Sequence, residues 1–414
     1  MKFIHLADLH LGKSIHGISL IDSGDQPVWV EQFLELAERL QPDAVLIAGD
    51  VYDRSAPSGE AVQLLDRLLT RLAELEIAVL MVAGNHDSGQ RLSFAGSLLA
   101  REKVHIGGIL PPNGRLERVV LEDEHGPVSF WLMPYVFPAL AAKALGDGDI
   151  RDYDTAVRRL LAAQELPAGE RKVLLAHQNV TYCGEEAPRG GSESMVGGLG
   201  QVDWHAFDAF DYVALGHIHA ANAVGRESLR FAGSPLCYHF NETRQPPKGP
   251  VLVELGAPGE TPKIQMLHIP PLHPMRELRG SYEQLRAQEL AAPRRGEYLR
   301  VVLTDQSLSP EIAAFFRELA QARDSLVLEM VSEHRPFAGA TAGASAAAVE
   351  EKSVEELFAD LYTERCGGDE PSDDDLELLR FLGESLRHSQ ATGKPDRELV
   401  DALLDLALGQ EGQR

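Results

Sequence analysis

The chain has 414 residues, 44% of them hydrophobic and 25% charged, and a net charge of −24. That length exceeds one ordinary core and points to two or three globular domains, while the acid excess excludes a uniformly basic nucleic-acid-binding surface without fixing the sign of any local patch. Cys183, Cys237 and Cys366 are too scattered for a disulfide framework or a zinc knuckle. No apolar stretch approaches the ~20 residues of a membrane span. The opening MKFIHLADLHLG has a short apolar run and no small-residue cleavage pattern, so it does not read as a signal peptide. A reducing, cytoplasmic location with no membrane contact is expected.

In chain order, strands are predicted over Lys2–Ala7, Ala44–Ala48, Ala78–Val82, Ser129–Met133, Lys172–Ala176, Tyr212–Leu215, Leu229–Ala232 and Val251–Glu254. Helical spacing covers Glu31–Leu40 and Ala61–Leu75. Residues 1 to about 270 therefore read as a layered α/β unit. Its late strands follow one another with few helices between, which calls for a mixed or partly antiparallel sheet. Pro270-Pro271-Leu272-His273-Pro274 then punctuates the chain. Residues 271–334 read as a small strand–helix–strand–helix–strand unit, with helices Ser281–Glu289 and Pro310–Ala322 and strands Tyr298–Thr304 and Ser325–Val331. Residues 335–352, rich in Ala, Gly and Ser, suit a linker. Helical patterns over Ser353–Arg365, Asp374–Ser389 and Asp396–Leu408 finish the chain. Residues 350–414 carry 18 Asp and Glu against 7 Lys and Arg, nearly half of the acid excess.

Five of the apolar runs end in Asp, Asn or His. FIHLADLH ends in Asp8 and His10, and AVLIAGD ends in Asp50. AVLMVAGNHD ends in Asn85, His86 and Asp87. KVLLAH ends in His177, and YVALGHIH ends in His217 and His219. Taken singly, each fragment suits a turn or a buried histidine. Together they converge, because ligands of open α/β sheets gather beyond the carboxyl ends of the strands. That is too many donors for one tetrahedral ion. It suits two divalent ions sharing a bridge, the arrangement that clamps a phosphoryl group in flight. Oxygen and nitrogen donors without thiolates suit Mn²⁺, Fe or Zn.

On these motifs the chain resembles the calcineurin-like metallophosphoesterases, whose ordered elements are D-x-H, G-D, G-N-H-D/E, H and G-H-x-H. HLADLHLGK, GDVYDRSAPS, GNHDS, YVALGHIH and FAGSP narrow the resemblance to the nuclease subunits of bacterial SbcCD-type complexes. The resemblance implies a four-layer β-sandwich flanked by helices, with a small α+β capping domain and C-terminal helices. It implies one ion on Asp8, His10, Asp50 and His219, and another on Asp50, Asn85, His177 and His217. Mn²⁺ is the implied metal, with Mg²⁺ the weaker alternative. His86 would act on the scissile phosphate or the leaving oxygen. Asp87 would orient it by accepting its other N–H. The alternative for His86 is that it fills the turn.

One departure stands out. Archaeal and eukaryotic relatives carry a histidine shortly after G-D, where this chain has Asp53. We expect Asp53 near the substrate, with its role open. Arg91 either contacts a phosphate or makes a surface salt bridge.

The implied activity is 3′→5′ exonuclease action on double-strand DNA ends and endonuclease action on hairpins, in DNA repair, recombination and replication. An SbcC-type ATPase partner is implied, because this chain has no G-x-x-x-x-G-K-[ST] loop of its own. A homodimer within a heterotetramer is implied too. Arg276, Arg279, Arg286, Arg294, Arg295 and Arg300 form either a phosphate-contacting surface or an ordinary solvated face. The terminal helices carry Leu376, Leu379, Phe381, Leu382 and Leu386, then Leu399, Val400, Leu403, Leu404 and Leu406. They read as a docking hairpin for the ATPase, or else as a pair packed on the capping unit. Three rival readings are a phosphatase or cyclic-nucleotide phosphodiesterase on the same fold, a metal-free scaffold, and a DNA-binding protein without nuclease activity.

Overall fold

The computed structural model describes residues 1–182, 200–291 and 294–334. Twelve strands, β1 Lys2–Leu6, β2 Ala44–Ala48, β3 Ala78–Val82, β4 Val104–Gly107, β5 Glu117–Asp123, β6 Gly126–Met133, β7 Arg171–His177, β8 Tyr212–Gly216, β9 Asn222–Val224, β10 Arg226–Phe231, β11 Val251–Glu254 and β12 Lys263–Met266, build two six-stranded sheets. The first runs β12-β11-β1-β2-β3-β4, with β1 to β4 mutually parallel and antiparallel pairings adding β11 and β12. The second runs β9-β10-β8-β7-β6-β5, with β10, β8, β7 and β6 parallel and β9 and β5 antiparallel at its edges. The mixed sheets match the expectation.

Strand alternation explains the layers. In β1, Phe3 faces the other sheet and Ile4 faces helices; in β2, Leu46 and Ala48 face inward while Val45 and Ile47 face outward. Both faces are buried, so these strands read as continuous apolar runs. The inner layer joins Phe3, Leu46, Leu80 and Val82 to Phe130, Leu132, Val173, Leu175 and Tyr212. Helices α1 (Asp25–Leu40) and α2 (Gly59–Glu74) cover the first sheet. Helices α3 (Pro138–Leu145) and α4 (Tyr153–Ala162) cover the second. The order helix, sheet, sheet, helix is the four-layer arrangement expected.

All eight predicted strands form, within a few residues of their expected ends. The four that were not predicted, β4, β5, β9 and β12, are the sheet edges. Their exposed residues break the apolar runs: β12 is exposed or half-exposed throughout. Helix α1 starts at Asp25, six residues before the expected Glu31. Pro27 lies in its first turn, where a missing N–H costs nothing. Asp152 caps α4 by accepting from Thr155 N at 2.8 Å.

The unit after Pro274 has strands β13 (Met275–Gly280), β14 (Tyr298–Leu303) and β15 (Leu326–Ser332), all parallel, with α5 (Tyr282–Ala291) and α6 (Pro310–Gln321) as crossovers. It has its own core of Leu278, Leu285, Val301, Leu303, Ile312 and Phe316. The six arginines singled out in the sequence all face carboxylates. Arg276 meets Glu289 at 2.7 Å and Glu297 at 2.5 Å, and Arg300 meets Glu329 at 3.0 Å. Arg279 pairs with Glu333, Arg286 with Glu283, Arg294 with Glu297 and Arg295 with Asp324. Arg276 and Arg300 are mostly buried in these pairs, whereas Arg279, Arg286, Arg294 and Arg295 are about half exposed or more, and both expectations for the exposed ones stand. The linker at 335–352 and the helices of 353–414 lie outside the described residues.

Candidate metal centre

Every motif singled out in the sequence sits at the same end of the sandwich. Asp8 and His10 follow β1, Asp50 follows β2, and Asn85, His86 and Asp87 follow β3. His177 ends β7, and His217 and His219 follow β8. The sheets close on one another there because their motif glycines have no Cβ. A Cβ on Gly216 would overlap the Ala48 carbonyl, and one on Gly84 would overlap the Asp50 carboxylate. The backbone bends to aim the ligands inward: Asp8 (φ 53°), His10 (φ 42°), Asp50 (φ 48°) and His217 (φ 104°) all hold left-handed conformations. Each costs roughly 1–3 kcal/mol, and such strain gathers where surrounding structure enforces a function.

The donor atoms are packed tightly. His10 Nε2 lies 3.2 Å from His219 Nε2. Asp50 Oδ2 is 3.4 Å from His177 Nε2 and 3.6 Å from His10 Nε2. Asn85 Oδ1 is 3.1 Å from His177 Nε2 and 3.0 Å from His217 Nδ1. Asp8, His10 and His219 form one cluster of metal-ligating atoms; Asp8, Asp50 and His177 form a second that shares Asp8, and His10, Asp50 and His86 a third. Apart from half-buried Asn85 and His86, these residues are buried.

Their outward hydrogen bonds fix which atoms face in. His177 Nδ1 donates to Ala48 O at 2.8 Å, so its Nε2 is bare when the ring is neutral. His219 Nδ1 donates to Glu242 Oε1 at 3.2 Å, which turns its Nε2 toward that of His10. The orphaned buried His217 Nε2 has no hydrogen-bond partner among the described residues. Facing acceptors repel unless positive charge sits between them. Burial by itself would lower the pKa of His177, but the charge of Asp50 outweighs it and lifts it to about 9. Burial pushes Asp50 up as well, yet His177, His10 and His86 hold it well below the usual carboxylate range. Burial raises Asp8 to about 6. The pocket is built for cations, and its oxygen and nitrogen donors fit divalent ions.

Two expectations need correction. Asp87 does not accept from His86. Its carboxylate takes the backbone N–H groups of Val51 (3.1 Å), Tyr52 (2.9 Å) and Gly84 (2.9 Å), so it ties the β2 and β3 loops together. The group that orients His86 is the Asp53 carbonyl, 3.0 Å from Nδ1. The Asp53 carboxylate, expected at the substrate, turns instead to Lys13 at 2.8 Å and to His10 Nδ1 at 3.5 Å. It supports a ligand, and its negative charge would repel a phosphate. Arg91 is exposed and donates to Ser55 O at 2.5 Å, with no ion pair among the described residues.

Sequence reasoning missed the supports behind His219. Buried Glu242 takes Lys248 Nζ at 2.7 Å as well as His219. Lys248 also donates to His219 O at 2.7 Å and Ser234 Oγ at 2.8 Å. The Tyr238 hydroxyl donates to Leu9 O at 2.6 Å and holds the Asp8–His10 turn. No fixed spacing announces these residues; a charged Glu and Lys inside an otherwise turn-rich stretch were the only signal.

A family model for calcineurin-like phosphoesterase matches residues 1–221, and a model described as a type 5 capsule protein repressor C-terminal domain matches residues 271–365. A protein named as the D subunit of nuclease SbcCD, from Staphylococcus epidermidis (strain ATCC 12228 / FDA PCI 1200), is 30% identical over 311 residues, 74% of this chain and 80% of its own length. Its namesake from Staphylococcus saprophyticus subsp. saprophyticus is 31% identical over 313 residues, 74% of this chain and 79% of its own. Among solved structures, the crystal structure of TT1561 of Thermus thermophilus aligns with a TM-score of 0.33 and 12% identity, over 56% of this chain and 89% of that one. So loose a superposition carries no argument.

Proposed function

We propose a reaction from this premise: the chain belongs to the calcineurin-like phosphoesterase family. It is a metal-dependent hydrolase and an SbcD-like nuclease, the kind its relatives' name describes. We read residues 1–270 as the nuclease domain and 271–334 as a cap. The observation that carries the mechanism is the meeting of ligand atoms from both sheets, with the outer nitrogens of His177 and His219 braced by the Ala48 carbonyl and Glu242.

Asp8, His10, Asp50 and His219 would hold one divalent ion, and Asp50, Asn85, His177 and His217 the other, with Asp50 between them. When bound, such ions, Mn²⁺ before Mg²⁺, lend positive charge to phosphate oxygens and acidify water. The chain's own residues do the rest. Asp50 and Asp8 keep the pocket anionic, so that cations enter and stay. Glu242 and Asp53 fix the rings of His219 and His10, and the Ala48 carbonyl fixes His177. His86 is the group free to move a proton. Its Nδ1–H is held by the Asp53 carbonyl, which turns Nε2 toward the ligand cluster, where a proton carried on Nε2 would pass to the leaving sugar oxygen. The Nε2 atom lies 4.0 Å from Asp50 Oδ2, at the edge of the ligand cluster and half open to solvent.

The substrate is DNA, cleaved 3′→5′ from double-strand ends and internally at hairpins, in repair, recombination and replication. An SbcC-type ATPase docks on the helices of residues 353–414. Self-association as a homodimer would cover exposed apolar side chains such as Val62, Phe94 and Leu98, which are 45%, 81% and 63% exposed. Among the described residues no helix is long and apolar enough to cross a membrane, and we place the protein in the cytoplasm.

The test is cleavage of end-labelled duplex and hairpin DNA with Mn²⁺, Mg²⁺ or chelator, with and without the ATPase. Cleavage that survives exhaustive chelation, or activity on nitrophenyl esters with none on DNA, overturns the reading.

A further inference from the structure

Between β6 and α3 the chain passes through Pro134-Tyr135-Val136-Phe137-Pro138. This segment lies at the carboxyl end of β6, beside the ligand cluster. Tyr135 N donates to Ala83 O at 2.8 Å, which ties it to the loop that carries Asn85. The Tyr135 ring stands 6.1 Å from the ring of His177 and 6.2 Å from that of His217. The ring of Tyr153 stands 6.0 Å away. Phe137 packs edge-on against Tyr135, with centroids 4.9 Å apart and planes at 77°. Phe137 is 46% exposed, and Leu140, one turn on, is 51% exposed.

An aromatic ring left half in water beside a ligand cluster calls for a partner. The ring is also rigid. Phe137 is the N-cap of α3, with Pro138 fixing the first helical residue, and Tyr135 locks its edge. We propose that Phe137 is a stacking platform for the nucleobase of the nucleotide whose phosphate is cleaved. The inference rests on the nuclease reading above and deepens it. A phosphodiester held at the ligands carries its base within one nucleotide's reach, and the Tyr135–Phe137 step lies one ring beyond His177 and His217. The Phe137 side chain has no polar atom, so the platform reads no base edge. It accepts any base through its π-face, as an enzyme that digests DNA without sequence preference requires. A base still paired in a duplex presents its faces to its neighbours, so the platform favours frayed ends and unpaired tips.

The experiment compares full-length wild type with Phe137→Ala, Phe137→Leu and Phe137→Trp in single-turnover cleavage of end-labelled DNA with Mn²⁺. Each of the three terminal nucleotides is, in turn, intact or abasic. Base stacking predicts a loss of roughly ten- to hundredfold for Phe137→Ala on intact DNA. Phe137→Leu should fall with it and Phe137→Trp should not. At one abasic position the wild type should drop to the rate of Phe137→Ala, and the variant should drop no further. Bound metal should be unchanged in all three variants. An equal loss on intact and abasic strands, or no loss, overturns the proposal. A second measurement stands apart from cleavage: 2-aminopurine at that position, with Ca²⁺ as the metal, should be quenched by wild type and not by Phe137→Ala. Absence of quenching by wild type also overturns it. If wild type cuts no DNA yet quenches the probe, the nuclease reading falls and the proposal is cut back to a base-stacking surface without a cleaved phosphate beside it.

Discussion

Substituting Asp50 and His86 separates holding metal from moving a proton. Asp50 touches ligands of both proposed ions, through His10 at 3.6 Å and His177 at 3.4 Å. Asp50→Ala should therefore lose bound Mn²⁺, measured by elemental analysis, along with activity. His86 sits at the edge of the cluster, so His86→Ala should keep both ions and lose about 10²–10⁴-fold in cleavage rate. Two ions retained in Asp50→Ala would break the bridging assignment. His5 bears on stability instead. It is fully buried between the Tyr212 hydroxyl at 3.0 Å and Leu215 O at 3.1 Å. Burial, helped by Arg230, lowers its pKa to about 3. The unfolded chain, with an ordinary histidine near 6.5, therefore binds a proton that the folded chain refuses. His5 contributes its full stability above pH 6.5 and loses about 1.4 kcal/mol per pH unit below that, down toward pH 3. Urea titrations of wild type and His5→Gln at pH 5 and 7 should show a steeper acid loss for wild type; parallel losses would refute it.

Strand ends, more than strands, decide whether the site exists. β2 and β8 belong to different sheets, yet they approach so closely that Gly216 has the Ala48 carbonyl where its Cβ would be. A backbone carbonyl in a buried parallel sheet cannot swing aside as a long side chain can. Gly216→Ala should thus force β2 and β8, and with them the two sheets, apart and separate His177 from Asp50. We expect a loss of several kcal/mol of stability, in the range of overpacked and strained core positions, and a loss of Mn²⁺ from whatever still folds. Gly17→Ala is the control, since a Cβ there meets nothing within 4 Å, although its φ of +83° adds a local strain. A folded Gly216→Ala variant with full metal content would show that the sheets can slide.

Assembly draws on surfaces away from the metal centre. Val62, Phe94 and Leu98 lie outside both sheets, so Leu98→Asp should leave metal content unchanged and give a monomer in sedimentation. An unchanged oligomeric state would move the self-association elsewhere. Removing residues 350–414 should likewise spare the metal centre, because every proposed ligand lies at or before His219. Metal-dependent cleavage should survive while capture of the ATPase falls sharply, since leucine-rich faces supply buried anchors. Leu382→Asp with Leu403→Asp should copy the deletion. Full ATPase capture by either variant would favour packing of these helices on the capping unit.

The central strands and the ligand set were legible in the chain itself. A strand buried on both faces must be apolar throughout, and a ligand at its end interrupts that run with a polar residue; Ala48-Gly49-Asp50 and Leu215-Gly216-His217 show both marks. Edge strands such as Lys263–Met266 were not legible, because solvent on one side removes the constraint that writes the pattern. The partners of the ligands were not legible either. Asp87 is near His86 in sequence and turns away to three backbone amides, whereas Asp53 lies 33 residues from His86 and holds it. Glu242 reaches His219 from a separate turn, 23 residues on. Periodicity records which face of an element is wet or dry, a property each segment carries alone. Which carbonyl or carboxylate braces a given ring depends on two segments meeting in space, and only the folded packing of the two sheets and their loops settles that.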